Sequence, residues 1–424
     1  MHPYKKLISL TLILLLLAGA ALAAETIPQT QEKEVRETIF ASGETLYFWY
    51  ADDALTDYLT NVSAAYYEES GNHVIPVLQT GHEYLEAINN ASVHPAEDSP
   101  QMPDLYVISN DSLERAYLAG LATQIADGGI CNTDTFPQTA LDAVTYREKY
   151  VAYPFYYETS AFLYNKTYME QAEREVPRTI DDILAFADEY DAPEQVEAVF
   201  QWVVSDIFYN YYFTGNYMIV GGEAGDDPTQ VDIDNSQTKA CLEVYQNLNQ
   251  YFSIDTKEVT YDTVLQDFID GKIVMTVATT DAVARLEEAK ENGDFPYEYG
   301  ITVMPDLTAD LKGRSLSVTN GIVINGYSEK GETANDFAAF LTKNHADKLY
   351  ENTGKIASRY GVLYDNRSVA EFMDEYESSI SMPKLLGAGN FWIQLEVCFS
   401  RIWTGEDVET LLRELADQMR QQLS

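Results

Sequence analysis

Glu158 stands in an aromatic run, YREKYVAYPFYYETSAFLYNK, from Tyr146 to Lys166. It is set among tyrosines and phenylalanines in a stretch that reads as a strand. A core would exclude it, because an unpaired buried charge is costly. A groove that grips a ring with apolar faces and hydroxyl edges would use both partners. Flat aromatic rings cover the faces, and Asp, Glu and Asn bond the hydroxyls. The same mixture recurs at three junctions, FWYADDAL, VISNDSLE and TVATTDAV. In each, an apolar strand ends, short polar residues follow and a helix begins. In open α/β sheets ligands sit at the carboxyl ends of strands, where helix-start N–H groups also point. The alternative at each junction is simple helix capping, and for any one tyrosine it is core packing.

Other chemistry is missing from the chain. It has no P-loop, no G-x-G-x-x-G, no G-x-S-x-G and no H-E-x-x-H. His73, His82, His94 and His345 are scattered, without a helical i,i+4 pair. Cys131, Cys241 and Cys398 are too few and too widely spaced for a disulfide framework or a zinc site, and read as small buried hydrophobes. Asp232-Ile-Asp234-Asn235 lacks the glycine of a calcium loop, where Gln237 stands, and reads as a turn. Neither a metal nor a cofactor is expected. A net charge of −41 repels nucleic acid and anionic lipid. Carboxylates are so numerous that a glycosidase acid pair could be drawn, but no single pair stands out.

The elements that must position these residues follow from the apolar pattern. Residues 1–23 read as a signal peptide: Lys5 and Lys6, an apolar run from Leu7 to Leu17, then Ala21-Leu22-Ala23 as a cleavage site. Residues 24–44 read as a linker. Strands are expected at Leu46–Tyr50, His73–Leu78, Leu105–Ile108 and Ile273–Val277. Helices are expected at Leu55–Ala65 and beyond to Gly71, Glu83–Ala91, Ser112–Ala119, Ile183–Tyr190 behind a Thr179/Asp182 capping box, Tyr261–Ile269, and from Asp281 to about Lys290. Thr404 is expected to cap a last helix over Val408–Met419. Alternating strands and helices imply an α/β fold.

Taken in order, several stretches resemble bacterial extracellular solute-binding proteins of the maltose-binding-protein type. DAVTYREKYVAYPFYYETSAFLYNK is similar to that family's Y-x-G-K-x-x-A-Y-P stretch, with its following Glu and L-I-Y-N-K. MPDLYVISNDSLERAYLAGLATQI, FIDGKIVMTVATTDAV, the return crossing through LSVTNGIVINGYSEKG, and NFWIQLEV agree in the same order. The resemblance implies a two-lobe, type II periplasmic-binding-protein-like fold, with a ligand cleft between the lobes and several hinge crossings. Lobe 1 would be 45–155 plus 305–364, and lobe 2 would be 156–304 plus 365–424. It further implies an exported monomer, in the periplasm or at the cell surface, that binds a carbohydrate and delivers it to the permease subunits of an ABC importer without catalysis. A peptide, polyamine or metal ligand, or a secreted glycoside hydrolase, are the alternatives. By this match Glu158 is the cleft glutamate, Asp111 with Asn110 a ligand-binding acid and its neighbour, Trp392 a stacking ring, and Trp49 a first-strand residue beside the cleft. Tyr157, Asp281, Tyr209 and Asn320 complete the expected set. The chain departs from the family's maltose binder at Asp281, where a Trp is expected, and at Ala54, where a basic residue is expected.

Overall fold

The computed structural model describes residues 43–423, apart from 82, 95–100, 253, 257–258 and 386–389. The expected signal peptide and nearly all of the linker lie outside the described residues. Two residues beyond strand β1 (Thr45–Tyr50), the Asp52 carboxylate accepts from Ala54 N–H and caps a single 3-10 turn over Asp53–Leu55. Helix α1 (Thr56–Ser70) follows, and Gly71 closes it with a left-handed φ of 76°. β2 (His73–Leu78) then runs parallel to β1, α2 (Tyr84–Val93) follows, and β3 (Leu105–Ser109) pairs on β1's other edge. This sheet is covered on both faces. Leu46, Phe48 and Tyr50 enter one core with Tyr58, Leu59 and Val62 of α1, while Trp49 enters another with Ile88 and Tyr106.

After β3 the chain differs slightly from expectation. Asn110–Ser112 form a 3-10 turn, and the helix proper, α3, is only Leu113–Leu118. The aromatic run is strand β4 (Tyr153–Asn165), at 13 residues long enough to serve two groups of strands. The capping box at Thr179/Asp182 is present and opens α4 (Ile180–Glu189). Then come β5 (Ala198–Phe200), α5 (Ser236–Phe252), α6 (Tyr261–Ile269), β6 (Ile273–Thr279), α7 (Ala282–Asn292), β7 (Tyr299–Thr302) and β8 (Leu316–Ile324). β8 pairs antiparallel with β3 and with β4 from Tyr153 to Thr159, whereas β6 pairs with β4 from Ser160 to Tyr164 and β7 with its last residues. The strand order is β2-β1-β3-β8-β4-β6-β5. The lobe boundary expected at 155/156 falls inside β4, whose partners change at Thr159/Ser160.

The carboxyl-terminal part is mostly helical: α8 (Gly331–Asn344), α9 (Leu349–Thr353), α10 (Arg367–Ser378), α11 (Phe391–Trp403) and α12 (Val408–Gln422). Phe337 and Leu341 of α8 join the core under β1, and α11 and α12 pack on α5. The cap of α12 corrects the sequence expectation. Asp407, not Thr404, accepts from Thr410 N–H, and Thr404 ends α11 instead. The three cysteines are buried and unpaired, and burial pushes their thiols up to about 12. Among the described residues no helix is long and apolar enough to cross a membrane.

Candidate ligand cleft

Glu158 lies just before β4 changes partners. The period-2 pleat decides its direction, because Tyr157 and Thr159 on either side are wholly buried and Glu158 therefore turns the other way. About half of its side chain, 51%, stays open, and Lys355 Nζ is 4.0 Å from its Oε1. Burial of its surroundings raises the Glu158 carboxyl above its usual value; Lys355 lowers it, and the carboxylates of Asp52 and Asp281 raise it further. Asp52 stands at the end of β1 and Asp281 at the end of β6, so carboxylates from three strands act on one place.

One wall is a concavity of about 710 Å³ at the ends of β1, β2 and β3. Asp52 and Asp53, Thr80, Ser109 and Ser112, Arg115 and the ring of Tyr156 line it, together with Asn320 of β8. Asn320 sits where the β8–β4 register slips, between Asn320 and Gly321. At the end of β6 Asp281 accepts from Tyr261 Oη at 2.8 Å and Thr279 Oγ1 at 2.5 Å, with Arg285 3.8 Å away. Tyr261 stacks on Tyr209, centroids 5.8 Å apart. Trp392, half-buried at the start of α11, leans on Tyr211 at 5.5 Å.

Several expected site residues lie elsewhere. Trp49 is 1% exposed and packs with Tyr106 and Ile88 behind the sheet, so it does not reach the cleft. Tyr157 is fully buried and lies flat on Tyr376, centroids 3.9 Å apart, so it is core. Asn110 is buried with its amide committed at both ends, donating to the Met382 carbonyl and accepting from Thr319 N–H. Tyr209 is almost wholly buried and supports Tyr261 from behind. Asp111 is exposed between Ser109 and Ser112, which line the concavity, and accepts from the Ser109 hydroxyl; like Glu158, Asp281 and Trp392 it is not itself part of that lining. Glu158, Asp111, Asp281, Asn320 and Trp392 retain open surface. Sequence reasoning missed Lys355, Arg115 and the lining role of Asp52. The ADD junction held the signal for Asp52, whereas nothing local to Lys355 marks it.

A larger concavity of about 840 Å³ lies beside the far end of β4, lined by Tyr164, Lys166, Arg174, Arg178, Asp306 and Arg314 among others. It shares no residue with the cleft. Much of its charge is already spent in pairs such as Lys166–Glu170 and Arg174–Glu189, so the cleft is the stronger site. Among the described residues no cluster of His, Cys, Asp and Glu is arranged to hold a metal.

The family model for bacterial extracellular solute-binding proteins matches residues 62–373. The chain belongs to that family. This solute-binding protein is 22% identical over 368 residues to the maltodextrin-binding protein of Bacillus subtilis, covering 81% of this chain and 82% of that one. It is 24% identical over 216 residues to the maltotriose-binding protein of Pyrococcus abyssi, covering 50% of this chain and 44% of that protein; the chain thus matches less than half the length of that relative. Its fold is that of the Staphylococcus aureus extracellular solute-binding protein solved with maltose: TM-score 0.76, 21% identity, 90% of this chain and 98% of that one. A cyclo/maltodextrin-binding protein solved with maltotetraose matches with a TM-score of 0.75 at 20% identity, covering 90% and 97%. The type II periplasmic-binding fold expected from the sequence is therefore present.

Proposed function

We propose that this protein is the exported binding component of an ABC importer, and that it takes a neutral oligosaccharide into the cleft without breaking a bond. The observation that carries the reading is the convergence of Asp52, Glu158 and Asp281 on one open cleft. They stand on three strands that the fold divides between the two walls. Carboxylates accept from sugar hydroxyls, Asn320 and Arg115 add donors, and Trp392 offers ring surface. Relatives named for maltotriose and maltodextrin support a glucan as the first ligand to try. The action is closure: contacts made to both walls at once favour the closed arrangement over the open one. Delivery of the ligand to membrane permease subunits completes the role.

A second reading comes from the same acids. Among the described residues Asp52, Asp53, Glu158 and Asp281 outnumber Lys355, Arg115 and Arg285, and the surplus negative charge suits a cation such as a polyamine. A thermal-shift screen of the full chain separates the two. Maltose, maltotriose and maltotetraose should raise the melting temperature. A ligand at about a hundred times its Kd stabilises by roughly 2.7 kcal/mol. A shift with spermidine and none with any glycan overturns the first reading in favour of the second.

A further inference from the structure

Lys355 is held from both sides along the chain. Gly354 ends α9 with a left-handed φ of 70°, and the Thr353 hydroxyl accepts from Lys355 N–H. The next two residues, Ile356 and Ala357, pair with Tyr157 and Tyr156 of β4. The side chain, 17% exposed, passes over the Tyr156 ring at 4.9 Å and ends 2.5 Å from Asp52 Oδ2 and 4.0 Å from Glu158 Oε1. The other oxygen of Asp52 is taken by Ala54 N–H at 3.0 Å. Asp52 is therefore oriented at both oxygens, and the ammonium lies between two carboxylates from different elements.

We propose that Lys355 is a positioning residue of the cleft, whose ammonium holds the Asp52 and Glu158 carboxylates side by side as ionised acceptors for ligand hydroxyls. This rests on the oligosaccharide reading above. Two carboxylates brought together in a partly desolvated site disfavour each other's charge, and one of them then keeps a proton. Lys355 and Asp52 approach Glu158 from one wall, Asp281 from the other, and the Tyr156 ring lies beneath the ammonium. Among the described residues Lys355 favours the charged form of Glu158, while burial, Asp52 and Asp281 oppose it. Without the ammonium Glu158 would keep its proton to a higher pH, and the two carboxylates would lose the group that holds them side by side. Lys355 needs no ligand contact of its own to matter.

The test uses the full chain as wild type, Lys355→Met, Lys355→Arg and Asp52→Asn. Carboxyl carbon-13 NMR of glutamate-labelled protein follows the Glu158 resonance, identified by its loss in Glu158→Gln. The Glu158 midpoint should rise by about one pH unit in Lys355→Met and return in Lys355→Arg. It should fall in Asp52→Asn, which keeps the lysine and removes a competing charge. Maltotetraose titrations should show Lys355→Met losing affinity as the pH falls, with the loss setting in about one pH unit higher than in wild type. A Glu158 midpoint that stays put in either Lys355→Met or Asp52→Asn overturns the proposal, as does a loss of affinity equal at every pH. If wild type binds no glycan at all, the oligosaccharide reading falls, while the carboxyl titration still decides the role of Lys355.

Discussion

Trp49 and Trp392 carry the same ring into opposite settings, and the contrast shows what local pattern can and cannot say about a single residue. Both stand at junctions beside the cleft in the linear chain. Trp392 keeps open surface near Tyr211, so Trp392→Ala should weaken maltotetraose binding by tenfold or more, about 1.4 kcal/mol or above. Unchanged affinity by calorimetric titration would remove it from the site. Trp49 is core, so Trp49→Ala should instead cost about 3–5 kcal/mol of stability by urea denaturation, with little change in the affinity of the folded protein. Glu158 was legible because its neighbours are aromatic and the pleat alternates. Trp49 was not: β1 is covered on both faces, and alternation then cannot tell a core face from a ligand face.

At the scale of elements, α10 is fastened to the return segment between β7 and β8 through Glu375. This carboxyl is 2% exposed and accepts from Met304 N–H at 2.7 Å and from the Ser315 hydroxyl. Burial pushes it up to about 7, against the pull of those two hydrogen bonds. A carboxyl raised above its unfolded value binds more protons in the folded state, so stability is greatest below the unfolded value and is lost as pH rises toward 7. The loss amounts to roughly 3 kcal/mol. Glu375→Gln should therefore melt higher than wild type near pH 8, with the gain vanishing near pH 5, in paired thermal melts. A gain of equal size at both pH values would assign the effect to packing. The helix caps make a simpler case. Asp407→Ala should lower the melting temperature through loss of the α12 cap, and Thr404→Ala should not act through that cap. Most strands and helices were legible from periodicity, but two cap-type residues three positions apart could not be ranked without the backbone that Asp407 meets. The 3-10 turn at Asn110–Ser112 was hidden for a related reason. Asn110 looks like a cap, yet its amide is consumed by Met382 and Thr319, far away in sequence.

For the whole molecule, the order of motifs was enough to read the fold, whereas the site was only half legible. Asp52, Glu158, Asp281 and Lys355 come from four distant parts of the chain, and only the crossing of β4 and β8 between strand groups brings them together. That arrangement bears on closure. On the proposed two-walled reading, Asp281 belongs to the wall built on β6, while Asp52 and Lys355 belong to the wall built on β1 and α9. Bringing the walls together moves Asp281 toward Glu158 and Asp52, and like charges oppose the approach. Among the described residues Lys355 and Arg115 offset part of that opposition from the β1 side, and Arg285 lies on Asp281's own helix. The ligand-free protein should therefore rest open, and hydroxyls that bridge the acids should favour closing. Small-angle scattering can follow this as a smaller radius of gyration on adding maltotetraose. Asp281→Asn, with the opposing charge removed, should be more compact than wild type without ligand at low salt. Exposed charges are screened beyond a Debye length of about 3 Å near 1 M salt, so high salt should compact the wild type and erase the difference. A ligand-free Asp281→Asn that matches the wild type at every salt concentration would show that charge across the cleft does not set the resting state.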